Sequence, residues 1–491
     1  MSHSTRHKRR RSRSNDRFDT QMIANGVLLI LFALLAGIAS YTMYAHNILA
    51  FRHVNVIYTA VLVVVFLVCL LLTLFKKGKH LVTVLLVLFS IVVGVSLFAF
   101  KSLVDVADNI NKTASYSEIE MKVVVPANSS ISDVSELTNV QAPTSADESN
   151  INALIANIKS EKGVELTVDP VDSYQSAYEN LINGSSQAMV LNSSYSSLLE
   201  LSYNDYESNL KTIYTYKIKK AIEDTAKTTD KNVFNIYISG IDTSGAVSTV
   251  SRSDVNLILT VNMNTHKILM TTTPRDSYVR IPDGGADQYD KLTHAGIYGI
   301  ETSVKTLENL YDIPINYYAR LNFTSFVKLI NALGGVTVYN DQAFTSLYGN
   351  YNFGVGNINL TSGEEALGFV RERYSLEHGD YDRGNNQLKV IQAIVEKLTS
   401  FQSVSNYSDV ISTLQDSIQT NMPLNTMMSL VNEQLDSGKT FIFSSQEVTG
   451  TGSTGQLTSY AMPNASLYMI QLDDASVAKA SQAIKNVMEG K

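Results

Sequence analysis

The pattern of apolar and polar positions divides the chain near Lys101. Before it lie three unbroken apolar runs, residues 22–44, 56–75 and 81–100, within a stretch from residue 20 to residue 101 that holds no Asp or Glu. Each run has about the 20 residues that a helix needs to cross a bilayer, so the pattern predicts three transmembrane helices and excludes a soluble cytosolic protein. The first run is too long, and too soon followed by two more, for a cleaved signal peptide, and reads as a retained anchor. After Lys101 strand-like and helix-like segments alternate. The first set, through residues 121–125, 151–158, 164–168, 174–182, 188–191 and 210–218, predicts a small α/β accessory domain over 102–223.

Residues 224–231, DTAKTTDK, have Ala226 as their one apolar member and read as a linker. Beyond them, strands are predicted at 233–239, 255–263 and 268–272 and helices at 297–311 and 323–333. Gly334-Gly335 closes the second of these helices and leads into a strand at 336–339. A helix should start near Thr361, where Thr361 and Glu364 have capping-box spacing, and another should run from about Gly384 to Leu398, with Leu388, Ile391, Val395 and Leu398 on its apolar face. Mixed strands and helices over 232–400 imply a larger α/β core. Residues 401–491 add helical stretches near 424–435 and 475–488 around a Thr/Gly/Ser loop at 449–455, and read as an extension of the core.

Charge adds an orientation. Seven basic residues precede the first run, Lys76, Lys77 and Lys79 join the second to the third, and Arg52 alone lies between the first two. Residues 1–21 therefore read as a cytoplasmic tail, the protein as a multi-pass cell-membrane protein, and residues 102–491 as extracellular. Of the formal charge of −7, the 390 residues after Lys101 carry −17. The one cysteine, Cys69, lies in the second run, so the outer part has no disulfide framework, and Cys69 reads as a small apolar residue facing lipid or a neighbouring helix.

Arginine placement points to the chemistry. The acidic outer part has seven arginines, Arg252, Arg275, Arg280, Arg320, Arg371, Arg373 and Arg383, all within residues 252–383. Guanidinium groups favour bidentate recognition of phosphate, so the pattern predicts an anion site, with Arg252, Arg280 and Arg320 individually more consistent with surface ion pairs. Arg275 and Asp276 follow a strand end, Arg371-Glu372-Arg373 closes the helix begun near Thr361, and Arg383 and Gln387 are four apart on one helix. Asp242 and Asp254 lie beside strand ends and are the candidate Mg²⁺ carboxylates, with a turn or capping role as the alternative for each, and Asp380 and Asp382 precede Arg383. His294 is either a base or a helix-start residue bonded to its neighbours. No GxxxxGK[ST], HExxH or CxxC motif occurs, which argues against nucleotide and zinc hydrolases of those types. The basic tail reads as a topology signal rather than a nucleic-acid arm.

The ordered set Gly240-Ile241-Asp242, Arg252-Ser253-Asp254, Pro274-Arg275-Asp276-Ser277, Lys291-Leu292-Thr293-His294-Ala295, Gly334-Gly335-Val336 and Arg371-Glu372-Arg373 through Arg383 and Gln387 resembles the LytR-CpsA-Psr family of Gram-positive bacteria over residues 231–400. The three apolar runs and the accessory domain look like the capsule-associated CpsA branch of streptococcal type. The resemblance implies a core with a mixed sheet and a lipid tunnel. It also implies a phosphotransferase that moves capsular polysaccharide from a polyprenyl-pyrophosphate carrier onto peptidoglycan, with pyrophosphatase activity beside it. By motif position, Arg275, Lys291, Arg371, Arg373, Arg383 and Gln387 would bind the pyrophosphate, Arg275, Asp276, Arg371 and Arg373 would take part in the chemistry, and Asp242 and Asp254 would hold Mg²⁺. The implied partners are the lipid-linked glycan, the peptidoglycan acceptor, the membrane and capsule export and assembly proteins, with no nucleic acid. Thr293 stands where the motif leads one to expect Asn, which weakens a role for that side chain but not for Lys291. Two other readings compete: a non-catalytic binder of lipid-linked glycan that regulates capsule assembly and export, and a membrane-bound transcriptional regulator that uses the basic tail.

Overall fold

A computed structural model of the chain describes residues 20–203, 205–222, 232–241, 247–400, 410, 413 and 418–491. The chain divides into two compact units, Met1–Ser102 and Leu103–Lys491. Helices α1 (Thr20–Ala45), α2 (Val54–Leu74) and α3 (Lys79–Ala114) are each long and apolar enough to cross a membrane. In the first unit, Phe32, Leu62, Cys69, Leu86 and Val93 pack between the helices, while Ile30, Leu34, Val64, Leu71, Val84 and Val95 stay exposed. Apolar side chains both inside and outside a helical bundle suit lipid as the surrounding solvent. The amide of Asn25, buried among them, donates to the Lys79 carbonyl at 3.0 Å and accepts from the Thr83 hydroxyl at 2.7 Å. The third helix outruns the end read from hydropathy because Leu103, Val106, Ala107 and Ile110, spaced for one helical face, are buried.

The second unit opens with a five-stranded sheet. Its elements are β1 (Tyr116–Pro126), β2 (Asn139–Ala142), α4 (Thr144–Lys162), β3 (Thr167–Pro170), α5 (Tyr174–Ile182), β4 (Met189–Asn192), α6 (Ser196–Ser202) and β5 (Leu210–Ala221), with strand order β3-β2-β4-β1-β5. This is the α/β pattern expected for residues 102–223, and the predicted linker 224–231 lies outside the described residues. The expected separation from the larger core is not observed. Tyr174, Tyr178, Tyr195 and Leu198 share one apolar cluster with Ile297, Met462, Leu467 and Met469, and the Glu118 amide donates to the Ser248 carbonyl. Composition marks the boundary between sheets, but burial of large tyrosines across it joins them into one packed unit.

The larger part continues through β6 (Val233–Ile241), β7 (Ser253–Asn262), β8 (Lys267–Thr272), the hairpin strands β9 (Tyr278–Ile281) and β10 (Gln288–Lys291), α7 (Ile300–Tyr311), β11 (Tyr317–Leu321) and α8 (Phe323–Ala332). Four short strands come next, β12 (Val336–Asn340), β13 (Phe344–Thr345), β14 (Asn352–Phe353) and β15 (Gly356–Leu360), then α9 (Gly363–Arg371), α10 (Asp380–Thr399), β16 (Ile418–Thr420), α11 (Leu424–Ser437), β17 (Ile442–Glu447), β18 (Gly450–Thr454), β19 (Tyr468–Leu472) and α12 (Asp474–Met488). A six-stranded mixed sheet has order β16-β11-β6-β7-β8-β17, with β11 parallel to β6 and β17 parallel to β8.

Both faces of this sheet are covered, which its alternation encodes. On β7, Ile258 points into a cluster with Val304 and Leu307 of α7 and Ile484 of α12, while Leu257, Leu259 and Val261 point the other way, against Leu388, Ile391 and Val395 of α10 and Met427 of α11. The period of two puts successive residues on opposite faces, so a strand covered on both sides reads as nearly continuous apolar sequence.

Two local readings are corrected. The N-cap of α9 is Ser362, whose hydroxyl accepts from the Glu365 amide, and Glu365 reaches back to the Thr361 amide, so the capping pair sits one residue later than Thr361 and Glu364. The Thr/Gly/Ser segment at 449–455 is largely strand, since Gly450–Thr454 pairs antiparallel with Tyr468–Leu472. Cross-strand pairing overrides the weak intrinsic strand preference of glycine.

Candidate active site

The sheet brings several chain segments to one end of its middle strands. The segment after β8, at its carboxyl end, supplies Arg275 and Asp276; β7 supplies Asp254 at its start; and β17, parallel to β8, ends there at Glu447. Backbone hydrogen bonds fix the Arg275-Asp276 turn from both sides: the Thr293 amide donates to the Arg275 carbonyl at 2.9 Å, and the Ile470 amide to the Asp276 carbonyl at 2.9 Å. Gly296 lets the 292–298 turn approach the start of β7, since a Cβ there would lie 2.5 Å from the Ser251 carbonyl oxygen and 2.7 Å from the Ser253 nitrogen. Helix α10 starts at Asp380, earlier than expected, so Arg383 and Gln387 both lie on it one turn apart.

These segments enclose a pocket of about 610 Å³. Asp254, Arg275, Asp276, Lys291, Arg373, Arg383 and Gln387 all line it. Arg275 Nη1 is 2.8 Å from Asp254 Oδ1, Arg275 Nε is 3.7 Å from Asp276 Oδ1, and Lys291 Nζ forms an ion pair with Asp276. The Thr293 hydroxyl, at the position that departs from the motif, donates to Asp254 at 3.2 Å. Burial alone would raise the Asp276 carboxyl, but Lys291, Arg275 and Arg383 outweigh it and hold the group below the usual carboxylate range. Val255, Leu257, Leu388 and Ile391 form an apolar part of the lining that is continuous with the layer between the sheet and α10.

Among the described residues, Arg371 is the predicted site residue that does not line the pocket. Its guanidinium lies 4.3 Å from the centre of the Phe323 ring and 5.2 Å from that of Tyr348, so cation–π contacts hold it on another face of α9. Asp242 lies outside the described residues. Asp382 faces the turn before α10, where it accepts from the Gln342 amide at 2.7 Å and the His378 backbone at 2.9 Å. His294 is buried and outside the pocket lining, with Nδ1 2.8 Å from Asp290, whose carboxylate also accepts from Ser459 and Ala461. That arrangement is structural and does not suit a base. Arg320 is buried rather than at the surface, donating to the Thr249 carbonyl at 2.9 Å, and burial lowers its pKa to about 10. Arg280 is exposed near Asp287, as expected of a surface pair.

Two residues escaped sequence reasoning. Glu372, between Arg371 and Arg373, is buried and accepts from the amides of Arg373, Tyr374 and Ser375 at 2.8–2.9 Å and of Leu347 at 2.6 Å. Burial would raise this carboxyl, but the amide donors bring it below its usual value, and the loop that presents Arg373 is fixed around it. Glu447 lines the pocket from the C-terminal part of the chain, where only a structural extension was expected. The capping-like spacing of Glu372 to its own following amides was a readable signal, whereas Glu447 had none.

The arrangement suits an anion that carries an apolar appendage: among the described residues Arg275, Lys291, Arg373 and Arg383 line the pocket from strand ends, the loop after α9 and α10, and an apolar wall continues into the core. Comparison with known proteins places the chain. The model of the LytR_cpsA_psr family matches residues 200–476, more than half of the 491, and the chain belongs to this family. A second model, for a DNA polymerase processivity factor, matches residues 76–191, which include none of the pocket residues. The polyisoprenyl-teichoic acid–peptidoglycan teichoic acid transferase TagU of Enterococcus faecalis is 33% identical over 282 residues, 56% of this chain and 87% of the relative. The protein of the same name from Oceanobacillus iheyensis is 35% identical over 232 residues, 46% of this chain and 69% of the relative. The crystal structure of B. subtilis TagU is similar at 29% identity, covering 53% of this chain and 98% of that one, with a TM-score of 0.41.

Proposed function

We propose that the protein is a membrane-anchored phosphotransferase that moves a glycopolymer, capsular polysaccharide, from a polyprenyl-pyrophosphate carrier to peptidoglycan outside the cell. The observation that carries this reading is the convergence of Arg275, Lys291, Arg373 and Arg383 with Asp254 and Asp276 around one pocket that has an apolar wall. The names of the relatives from Enterococcus faecalis and Oceanobacillus iheyensis support transfer of a polyisoprenyl-linked polymer to peptidoglycan. The capsular substrate is favoured by the three apolar helices and the additional five-stranded sheet, which resemble the capsule-associated branch of the family.

In this reading the prenyl chain lies along Val255, Leu257, Leu388 and Ile391, and the pyrophosphate meets the cations. Phosphoryl transfer needs in-line placement and neutralisation of charge on the transferring and leaving groups, and positioned guanidinium groups supply both. Arg275 is held by Asp254 and the turn of Asp276, and Glu372 sets the loop of Arg373. Asp276 orients Lys291 and Arg275 instead of acting as a base, because those cations stabilise its ionised form. Asp254 gives Oδ1 to Arg275 and the Thr293 hydroxyl and keeps Oδ2 as a hard oxygen of the kind Mg²⁺ takes, so Asp254, with Asp242 as the second carboxylate of the family motif, would hold the ion. When bound, the ion would neutralise charge on the phosphate oxygens. Pyrophosphate cleavage with water as acceptor would be a side reaction of the same site.

The test is transfer by the full chain in detergent or vesicles, supplied with polyprenyl-pyrophosphate-linked capsular glycan, peptidoglycan and Mg²⁺. Wild type is expected to attach glycan to peptidoglycan and Arg275→Ala to lose that activity. Binding of the lipid-linked glycan by wild type without any turnover would replace this reading with the non-catalytic one.

A further inference from the structure

We infer that Glu447 is the general base that takes the proton from the acceptor hydroxyl during glycan transfer. The inference rests on the transfer reading above and adds to it a residue from outside the arginine motifs.

Among the described residues three carboxylates line the pocket, Asp254, Asp276 and Glu447. Two are committed to cations, Asp254 to Arg275 and Asp276 to Lys291 and Arg275. Among the described residues Glu447 is the remaining one, half-buried and making no side-chain hydrogen bond or ion pair. Its position is set by the sheet. It ends β17 opposite Thr272, the last residue of β8, and Thr272 is three residues before Arg275. Strand β17 is held in place on its other side, where Gln446 donates to the Ala480 carbonyl of α12 at 3.1 Å and the Thr449 amide donates to the Ser476 hydroxyl at 3.0 Å. A side chain at the end of an edge strand, beside the phosphate-binding turn, can reach an incoming hydroxyl without displacing the cations.

The environment agrees with this role. The charged and titratable groups that line the pocket with Glu447 are Asp254, Arg275, Asp276 and Lys291 from the β7 and β8 side and Arg373, His378, Tyr381 and Arg383 from the α10 side, with Tyr468 from β19. On α12, behind the strand, Asp474 and Lys479 are exposed. Burial is what moves Glu447, pushing its carboxyl up to about 7. Asp276 responds to cations and is a weak base, whereas a group titrating near neutrality has both the ionised population and the proton affinity that general-base catalysis requires. In the step, the acceptor oxygen forms a bond to the phosphorus that carries the glycan. The bond from that phosphorus to the bridging pyrophosphate oxygen breaks, and polyprenyl monophosphate leaves with the electron pair. The acceptor proton passes to Glu447 and then to water.

The experiment compares wild type, Glu447→Gln and Glu447→Asp as full chains in vesicles. It measures transfer from a polyprenyl-pyrophosphate-linked oligosaccharide to peptidoglycan between pH 5 and 9, together with binding of the lipid donor. Wild-type transfer should rise with pH through about 7, because the base must be ionised. Glu447→Gln should keep donor binding within about twofold, lose transfer by about 100-fold or more and lose the acidic limb, while Glu447→Asp should keep that limb at reduced rate. A Gln variant that transfers within threefold of wild type, with an unchanged pH profile, would overturn the role of Glu447 and leave the transferase reading standing. Wild type that binds donor but transfers nothing at any pH would overturn that reading and this inference with it.

Discussion

The five-stranded and six-stranded sheets of the larger unit each place a carboxylate where burial opposes its charge, and the two groups behave in opposite ways. Asp147, beside the five-stranded sheet, accepts from the Tyr174 hydroxyl at 2.7 Å, the Asn192 amide at 2.8 Å and the Asn150 amide at 2.6 Å. Burial raises its pKa, and neither these neutral donors nor Lys220 reverse the shift. Burial acts in the same direction on Asp276, in the turn after β8 of the six-stranded sheet, but Lys291, Arg275 and Arg383 overturn it. The contrast teaches what distinguishes a structural carboxylate from a site carboxylate. The first is saturated by neutral donors inside its own fold, while the second balances cations that line a cavity.

The largest way to break this contrast is at Arg275. Arg275→Ala is expected to lower transfer by about 1000-fold, the upper end of what removal of one transition-state donor costs, and to leave the fold of the five-stranded sheet intact by circular dichroism. Next comes a pair two residues apart. Arg373→Ala should lower transfer about 100-fold, whereas Arg371→Ala, which loses contacts to Phe323 and Tyr348, should change transfer by less than about threefold and cost about 1 kcal/mol of stability. Equal losses in the two variants would show that the aromatic stacking does not keep Arg371 from the ligand. Glu372→Ala should destabilise the protein by about 2 kcal/mol in denaturant titration, because four amides lose their buried acceptor.

Helix and strand placement was legible wherever the apolar pattern was regular. The three membrane-length helices, the strands at the centre of the six-stranded sheet and the apolar face of α10 all follow their sequence periodicity. The arginine cluster was legible too, since an acidic outer part concentrates its guanidinium groups in one window. What failed depended on distant partners. Nothing local separates Arg371 from Arg373; Phe323 on α8 and Tyr348 in the loop between β13 and β14 decide it. Strand β18 is hidden by its glycines until Tyr468–Leu472 pairs with it, and Glu447 is one acidic residue among many until the parallel pairing of β17 with β8 brings it to the pocket. The same holds for the boundary at the linker, where the tyrosine-rich cluster joins what composition separates.

The smallest effect is a difference in pH dependence between the two carboxylates. Asp276 is depressed in the folded state, so its contribution to stability is present above the unfolded value of about 3.9 and is lost as pH falls through the folded value. Asp147 is raised, so its protonated form favours folding at low pH, and stability falls as pH rises from about 3.9 through its folded value. Asp147→Asn should remove that fall, with transfer unchanged, and Asp276→Asn should remove stability above pH 4; thermal unfolding between pH 3 and 8 would record both. The same slope in the two variants would erase the distinction drawn between them.

In the proposed reaction the cation-lined pocket transfers a phosphoryl-linked glycan to a sugar hydroxyl. Phosphorus NMR of a reaction containing the full chain, Mg²⁺, polyprenyl-pyrophosphate-linked glycan and peptidoglycan tests it most directly. The pyrophosphate signals should decay while polyprenyl monophosphate and a new phosphodiester on peptidoglycan appear one for one. Persistence of the pyrophosphate signals with the donor fully bound would contradict it.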